Sequence, residues 1–237
     1  RVAYFLVDSL RYELGMELEK QLSDKLQVIS QIVCAQLPTY TEVGMASLMP
    51  DAESKLKLEL KDDKVITTLG GENATSPATR FNYLRSCKGD QCEDIDLDSL
   101  IKAKKSKVSD KVKLLVVRTH DMDTIAHGTP QQVFHVIPQL LRQIIRGVNK
   151  AADFGFNKAV IVPDHGFILI HEQEAGNVSP RPSGTWLIEK DRCMLGQGTA
   201  DSANLVMKSS ELGIPGDIKD FAAPKALVPY TRGEIYY

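Results

Sequence analysis

No apolar run among the 237 residues approaches the ~18 needed to span a bilayer, and no secretory leader opens the chain. A membrane-embedded or exported protein is therefore not expected. Cysteine is scarce and scattered at Cys34, Cys87, Cys92 and Cys193, and the nearest pair has no second pair to complete a zinc cage. Reduced thiols in the cytoplasm are the expectation. Neither sign of charge dominates: a net charge of −2 gives no general argument for nucleic-acid binding, and the lysine-rich stretch from Lys102 to Lys113 reads as a solvated loop. Internal repeats and low-complexity segments are lacking too.

What is present is ordinary for a soluble globular protein, with 43% hydrophobic and 25% charged residues. The length suits a single domain over residues 1–237, with 51–110 as a cap or insertion. VAYFLV starts one residue into the chain and GEIYY closes it as a strand with nothing after, so a fragment of a longer protein is expected.

The most informative stretch is AVIVPDHGF, Ala159 to Phe167. Its apolar run reads as a strand buried on both faces, ending in Asp164 and His165 with Gly166 allowing a sharp turn. A carboxylate and an imidazole at the carboxyl end of a strand stand where open α/β sheets build sites, and both are good ligands for a divalent metal. Two further apolar runs end similarly. Val2 to Val7 is followed by Asp8, and Lys113 to Val117 empties into RTHDMDTIAHGTP, with Asp123 and His127 spaced to project from one side and His120 and Asp121 just before them. In a parallel sheet such ends share one edge, so groups distant in sequence converge on a metal centre.

Between the strands, leucines at 10, 14, 18, 22 and 26 predict a helix over Ser9 to Leu26, and the apolar spacing from Gln131 to Phe154 predicts another. Leu26 to Ile32 reads as a strand, Lys64 to Leu69 as a strand turned by Gly70 and Gly71, Pro77 to Arg85 as a short helix, GTWLIEK as a strand, and Leu205 to Leu212 as a short helix. Arg80 and Arg85 are candidates for an anionic substrate or for the surface, and His135 falls on the long helix. Thr41 opens a helix that ends before Pro50, after QLPTY. Its hydroxyl is either an N-cap or a nucleophile facing the same edge as the metal ligands.

These residues resemble the alkaline phosphatase superfamily, and within it the PglZ domain of bacterial phage-defence systems of the BREX and phage growth limitation type. The resemblance is carried by VDSLRYE, LPTYTEVGMASLMP, HDMDTIAH and VPDHGF, in that order across nearly the whole chain. It implies a three-layer α/β/α sandwich with a mostly parallel central sheet. It also implies one metal held by Asp8, Thr41, Asp164 and His165 and a second by Asp123 and His127, with zinc favoured and manganese or magnesium open. Thr41 would be the nucleophile of a phosphodiesterase or phosphatase, its substrate a phosphoester such as a nucleotide or nucleic acid. The pattern lacks one late histidine: His171 is the last in the chain, beside Glu172. A degenerate scaffold binding other defence proteins, such as a DNA methyltransferase, is the alternative from a different class, and mutase or sulfatase chemistry a weaker third.

Overall fold

The computed structural model describes the chain apart from residues 63, 105–107, 120–132, 171–177, 231–234 and 237. In order it forms β1 (Val2–Val7), α1 (Tyr12–Ser23), α2 (Thr41–Ser47), α3 (Ala52–Lys55), β2 (Leu56–Lys61), β3 (Lys64–Leu69) and β4 (Glu72–Asn73). Then come α4 (Pro77–Lys88), β5 (Cys92–Asp96), α5 (Leu97–Lys102), β6 (Leu114–Thr119), α6 (Val133–Asp153), β7 (Lys158–Pro163) and β8 (Leu169–Ile170). Five strands close the chain: β9 (Gly184–Glu189), β10 (Met194–Gly198), β11 (Asn204–Lys208), β12 (Asp220–Pro224) and β13 (Ile235–Tyr236). The chain divides into two compact units, Arg1–Cys34 with Leu84–Gly166, and Ala35–Tyr83 with Phe167–Tyr237.

The first unit carries a parallel sheet of order β5-β6-β1-β7. This is the mixed α/β class, with its mostly parallel central sheet, that the sequence leads one to expect. β1 lies inside the sheet because both its faces are apolar: Ala3, Phe5, Leu6 and Val7 are buried. β7 differs from the expectation of a strand buried on both faces. It is the outermost strand of the described sheet, and Ala159 is exposed while Val160 to Pro163 are only half-buried.

Helix α1 buries Leu18 and Leu22 and stops at Ser23, leaving Leu26 42% exposed. Helix α6 buries Leu140, Leu141, Ile144 and Val148, each burial worth roughly 1.5–3 kcal/mol. Gly147 lets α6 approach closely: a Cβ there would stand 2.5 Å from Leu97 Cδ1 and 3.1 Å from Phe5 Cε1. At the start of β1, Arg1 donates to the carbonyls of Val112 (2.8 Å), Phe154 (2.7 Å) and Ser109 (3.1 Å), and its guanidinium stacks 4.2 Å from the Phe156 ring centroid. The expected strand at Leu26 to Ile32 does not form. Ile29 and Ile32 are 80% and 78% exposed, and no described strand pairs with this stretch to take up its backbone N–H and C=O groups.

The second unit is mainly antiparallel. β2, β3 and β4 form one sheet, with Gly70 and Gly71 at φ +60° and +88° turning β3 into β4. A second sheet has the order β11-β12-β10-β9, and its face packs Trp186, Met194, Ala222 and Tyr230. The helix expected at Leu205 to Leu212 is instead strand β11 followed by a turn, because Asn204–Lys208 pairs residue by residue with Pro224 back to Asp220 on β12. β13, the described Ile235–Tyr236 part of the expected closing strand GEIYY, pairs in parallel with β8.

Candidate metal centre

The parallel register sets the site. Val7 on β1 is level with Pro163 on β7 and with Thr119 on β6. The first residues past β1 and β7 are therefore Asp8 and Asp164, side by side at the carboxyl edge. Asp8, Asp164 and His165 are 3%, 3% and 2% exposed, and one ligand atom from each lies within 4.8 Å of the others.

The hydrogen bonds orient these groups. Asp164 Oδ1 accepts from the backbone N–H of Ser9 at 3.1 Å and of His165 at 2.8 Å. Its other oxygen, Oδ2, is buried with no hydrogen-bond partner among the described residues and stands 3.3 Å from His165 Nε2. His165 Nδ1 lies 2.8 Å from the carbonyl oxygen of Gly166. A carbonyl only accepts, so Nδ1 carries the proton and, in the neutral ring, Nε2 presents a lone pair toward Asp164 Oδ2. Two lone pairs facing each other in a buried site call for a cation between them, either a proton or a metal ion. A histidine anchored through its other ring nitrogen to a backbone carbonyl is the usual arrangement of a metal ligand. The donor set of two carboxylates and one imidazole thus fits a divalent cation.

Burial pushes the Asp164 carboxyl above its ordinary value; the His165 charge pulls it back, the Asp8 charge raises it further, and the amides of Ser9 and His165 lower it. Ser9 is a participant that reasoning from ligand types passes over. It is buried, adopts φ +57°, and its hydroxyl donates to Asp8 Oδ1 at 3.1 Å while lying 3.4 Å from His165 Nδ1. The signal available was a small hydroxyl residue directly after a strand-end aspartate. A non-glycine residue in the left-handed region carries local strain, which is common where a backbone amide must be aimed at a functional group. Gly166 is tight against Arg11, whose Cγ would lie 3.3 Å from a Cβ at that position.

The other candidates are distributed differently. Asp123 and His127, with His120, Asp121, His171 and Glu172, lie outside the described residues. Thr41 is the first residue of α2 in the second unit, half-buried. The position before the helix is Tyr40, which provides no side-chain cap, so Thr41 is not the N-cap residue. Arg80 is buried at 6% exposure and donates to the carbonyls of Ala74 and Thr75, so it is not a surface residue.

A parallel α/β sheet with paired carboxylates and an imidazole at its carboxyl edge is consistent with an alkaline phosphatase-like fold. A family model described as the BREX system PglZ alkaline phosphatase-like domain matches residues 1–228, and the chain belongs to that family. It is also similar to the alkaline phosphatase-like protein PglZ of Bacillus cereus (strain H3081.97), at 27% identity over 181 residues, covering 71% of this chain and 20% of that protein. The match thus spans about a fifth of the length of that curated relative.

Proposed function

We propose that this chain is a metal-dependent phosphoester hydrolase domain of a bacterial phage-defence protein, acting in the cytoplasm with Thr41 as nucleophile. The observation that carries the reading is the buried Asp164 Oδ2, without a hydrogen-bond partner among the described residues, facing the Nε2 lone pair of His165 with Asp8 beside them. Membership of an alkaline phosphatase-like family supports it. Among the described residues no helix is long and apolar enough to cross a membrane.

In this reading Asp8, Asp164 and His165 hold one divalent cation with Thr41, and Asp123 and His127 hold a second. Zinc suits the mixed oxygen and nitrogen donors best, with manganese or magnesium as alternatives. Bound there, a cation would supply Lewis-acid charge to a phosphoryl group and lower the pKa of a hydroxyl. The chain's own residues do the rest. Ser9 fixes the orientation of both carboxylates through its amide and hydroxyl, and Gly166 fixes the histidine tautomer. The Thr41 oxygen forms the new bond to phosphorus as the bond to the leaving oxygen breaks, the hydroxyl proton passing to that oxygen by way of solvent. Water then cleaves the phosphothreonine and restores the hydroxyl.

The substrate class is a phosphodiester or phosphomonoester, such as a nucleotide or nucleic acid, and the partners are other defence proteins such as a DNA methyltransferase. The test is hydrolysis of bis(p-nitrophenyl) phosphate by the full-length protein with zinc or manganese. Thr41→Ala should lower kcat by at least about a thousandfold while leaving the melting temperature without metal unchanged. Wild-type turnover in that variant sinks Thr41 as nucleophile. Full-length protein carrying no metal and no activity sinks the enzyme reading in favour of a scaffold.

A further inference from the structure

A hydroxyl that accepts a phosphoryl group needs positive charge to hold the anion beside it. Within the second unit, the turn between β9 and β10 packs against the segment that leads into Thr41. Arg192 donates from Nη2 to the Thr39 carbonyl at 3.2 Å, two residues before Thr41. The Lys190 ammonium stands 5.4 Å from the centroid of the Tyr40 ring.

Both segments are anchored. The turn is closed by Lys190 N–H to Cys193 C=O at 2.9 Å and tied down by Tyr230 N–H to Asp191 C=O at 2.6 Å. Cys193 is fully buried, and Met194 after it belongs to the Trp186 core. On the other side, Tyr40 N–H donates to the Pro38 carbonyl at 2.8 Å, and the Tyr40 carbonyl accepts from Val43 and Gly44 at the start of α2.

The acidic groups on these stretches are Glu42, hydrogen-bonded to Tyr40, and Asp191, between the two cations. Against them stand Lys190, Arg192 and the charge of Arg80, which also acts on Tyr40. Lys190 is exposed and Arg192 half-buried, so a ligand arriving from solvent can meet both. Arg192 has a structural explanation as a staple on the Thr39 carbonyl. Among the described residues the Lys190 side chain has only an exposed cation–π contact, worth about 0.5–1 kcal/mol.

We propose that Lys190 and Arg192 form an anion-binding arm beside Thr41 that holds the non-bridging oxygens of the substrate's phosphoryl group. This rests on the reading of Thr41 as the phosphoryl acceptor. A guanidinium presenting several donors and a mobile ammonium suit a tetrahedral oxyanion better than either does alone.

The test uses the 237-residue chain in EDTA, so that metal cannot contribute, titrated with inorganic phosphate and followed by phosphorus NMR. Lys190→Ala, whose exposed side chain is removable without unfolding, should weaken phosphate about fivefold and Arg192→Ala about tenfold, with Arg192→Lys between. Unchanged affinity in both alanine variants overturns the proposal, as does a wild type that binds no phosphate. A loss confined to Arg192→Ala, together with a fall in melting temperature, identifies a loop staple and also overturns it. If both variants lose phosphate while Thr41→Ala still hydrolyses the model diester in the full-length protein, the arm stands and the Thr41 reading fails.

Discussion

Burying Asp8 and Asp164 side by side, each 3% exposed, costs free energy unless a cation offsets their charge. Asp164→Asn removes one of the two charges and keeps the shape. In EDTA the variant should melt at or above the wild type. Saturating zinc should raise the wild type by several degrees, in line with about 2.7 kcal/mol at a hundredfold excess over Kd, and leave the variant nearly unmoved. An equal zinc response in calorimetry would remove Asp164 from the centre. Asp201 behaves in the opposite sense. It accepts from the amides of Ala203 (2.8 Å) and Asn204 (2.7 Å), and the Asn204 side-chain amide heads the causes that hold its carboxyl below the ordinary value of 3.8. The folded chain therefore binds its proton less readily than the unfolded chain does. That stability is present above pH 3.8 and is lost as pH falls through the folded value. Asp201→Ala should melt below the wild type at pH 7, with the gap closing as pH falls below 3.8 in a pH series of melting curves.

At the scale of elements, Gly147 is where α6, α5 and β1 meet. Gly147→Ala adds a methyl that collides with Leu97 and Phe5, and overpacking of this kind costs about 1–3 kcal/mol despite the better helix propensity of alanine. Urea titration would show the loss, and a neutral or stabilised variant would mean that Leu97 yields freely. The elements that could be read from sequence were those whose signal is local: VAYFLV and the AVIV run were legible as strands and the α6 stripe as a helix, because an apolar run or a 3.6 period needs no partner to be seen. β5 was passed over because CEDID shows only Cys92 and Ile95 as apolar, and its place beside β6 comes from pairing. Leu26 to Ile32 failed in the reverse way: its side chains favour a strand, but no described neighbour receives it. The same split divides the site. Asp8, Asp164 and His165 were legible as residues at strand ends, whereas Ser9's left-handed turn and the orphaned Asp164 oxygen are products of tertiary assembly.

Across the whole molecule, each unit contains one buried cysteine. Cys92 belongs to the first and Cys193 to the second, at 1% and 0% exposure, while Cys34 and Cys87 are exposed. Burial also pushes the Cys92 thiol up to about 11, which keeps it protonated and unreactive at neutral pH. A maleimide should label Cys34 and Cys87 within minutes under native conditions, and Cys92 and Cys193 only as their own units open. Mass spectrometry of the labelled chain distinguishes the four sites, and rapid native labelling of Cys193 would contradict its burial.

The level register of β1 and β7 makes the chain sensitive to length in one place and indifferent to it in another. Ser9 and Asp164 meet across 155 residues of sequence, yet their meeting depends on a strand of six. Insertions in the loop ahead of Lys158 leave the count from Val2 to Asp8 and from Lys158 to Asp164 intact. One residue gained or lost inside β7 still leaves an apolar strand able to pair with β1, but it shifts the aspartate by about 3.3 Å and turns it to the opposite face. Such a frameshift in space would give a soluble, cooperatively melting protein that is blind to metal, a phenotype that stability screens would score as wild type.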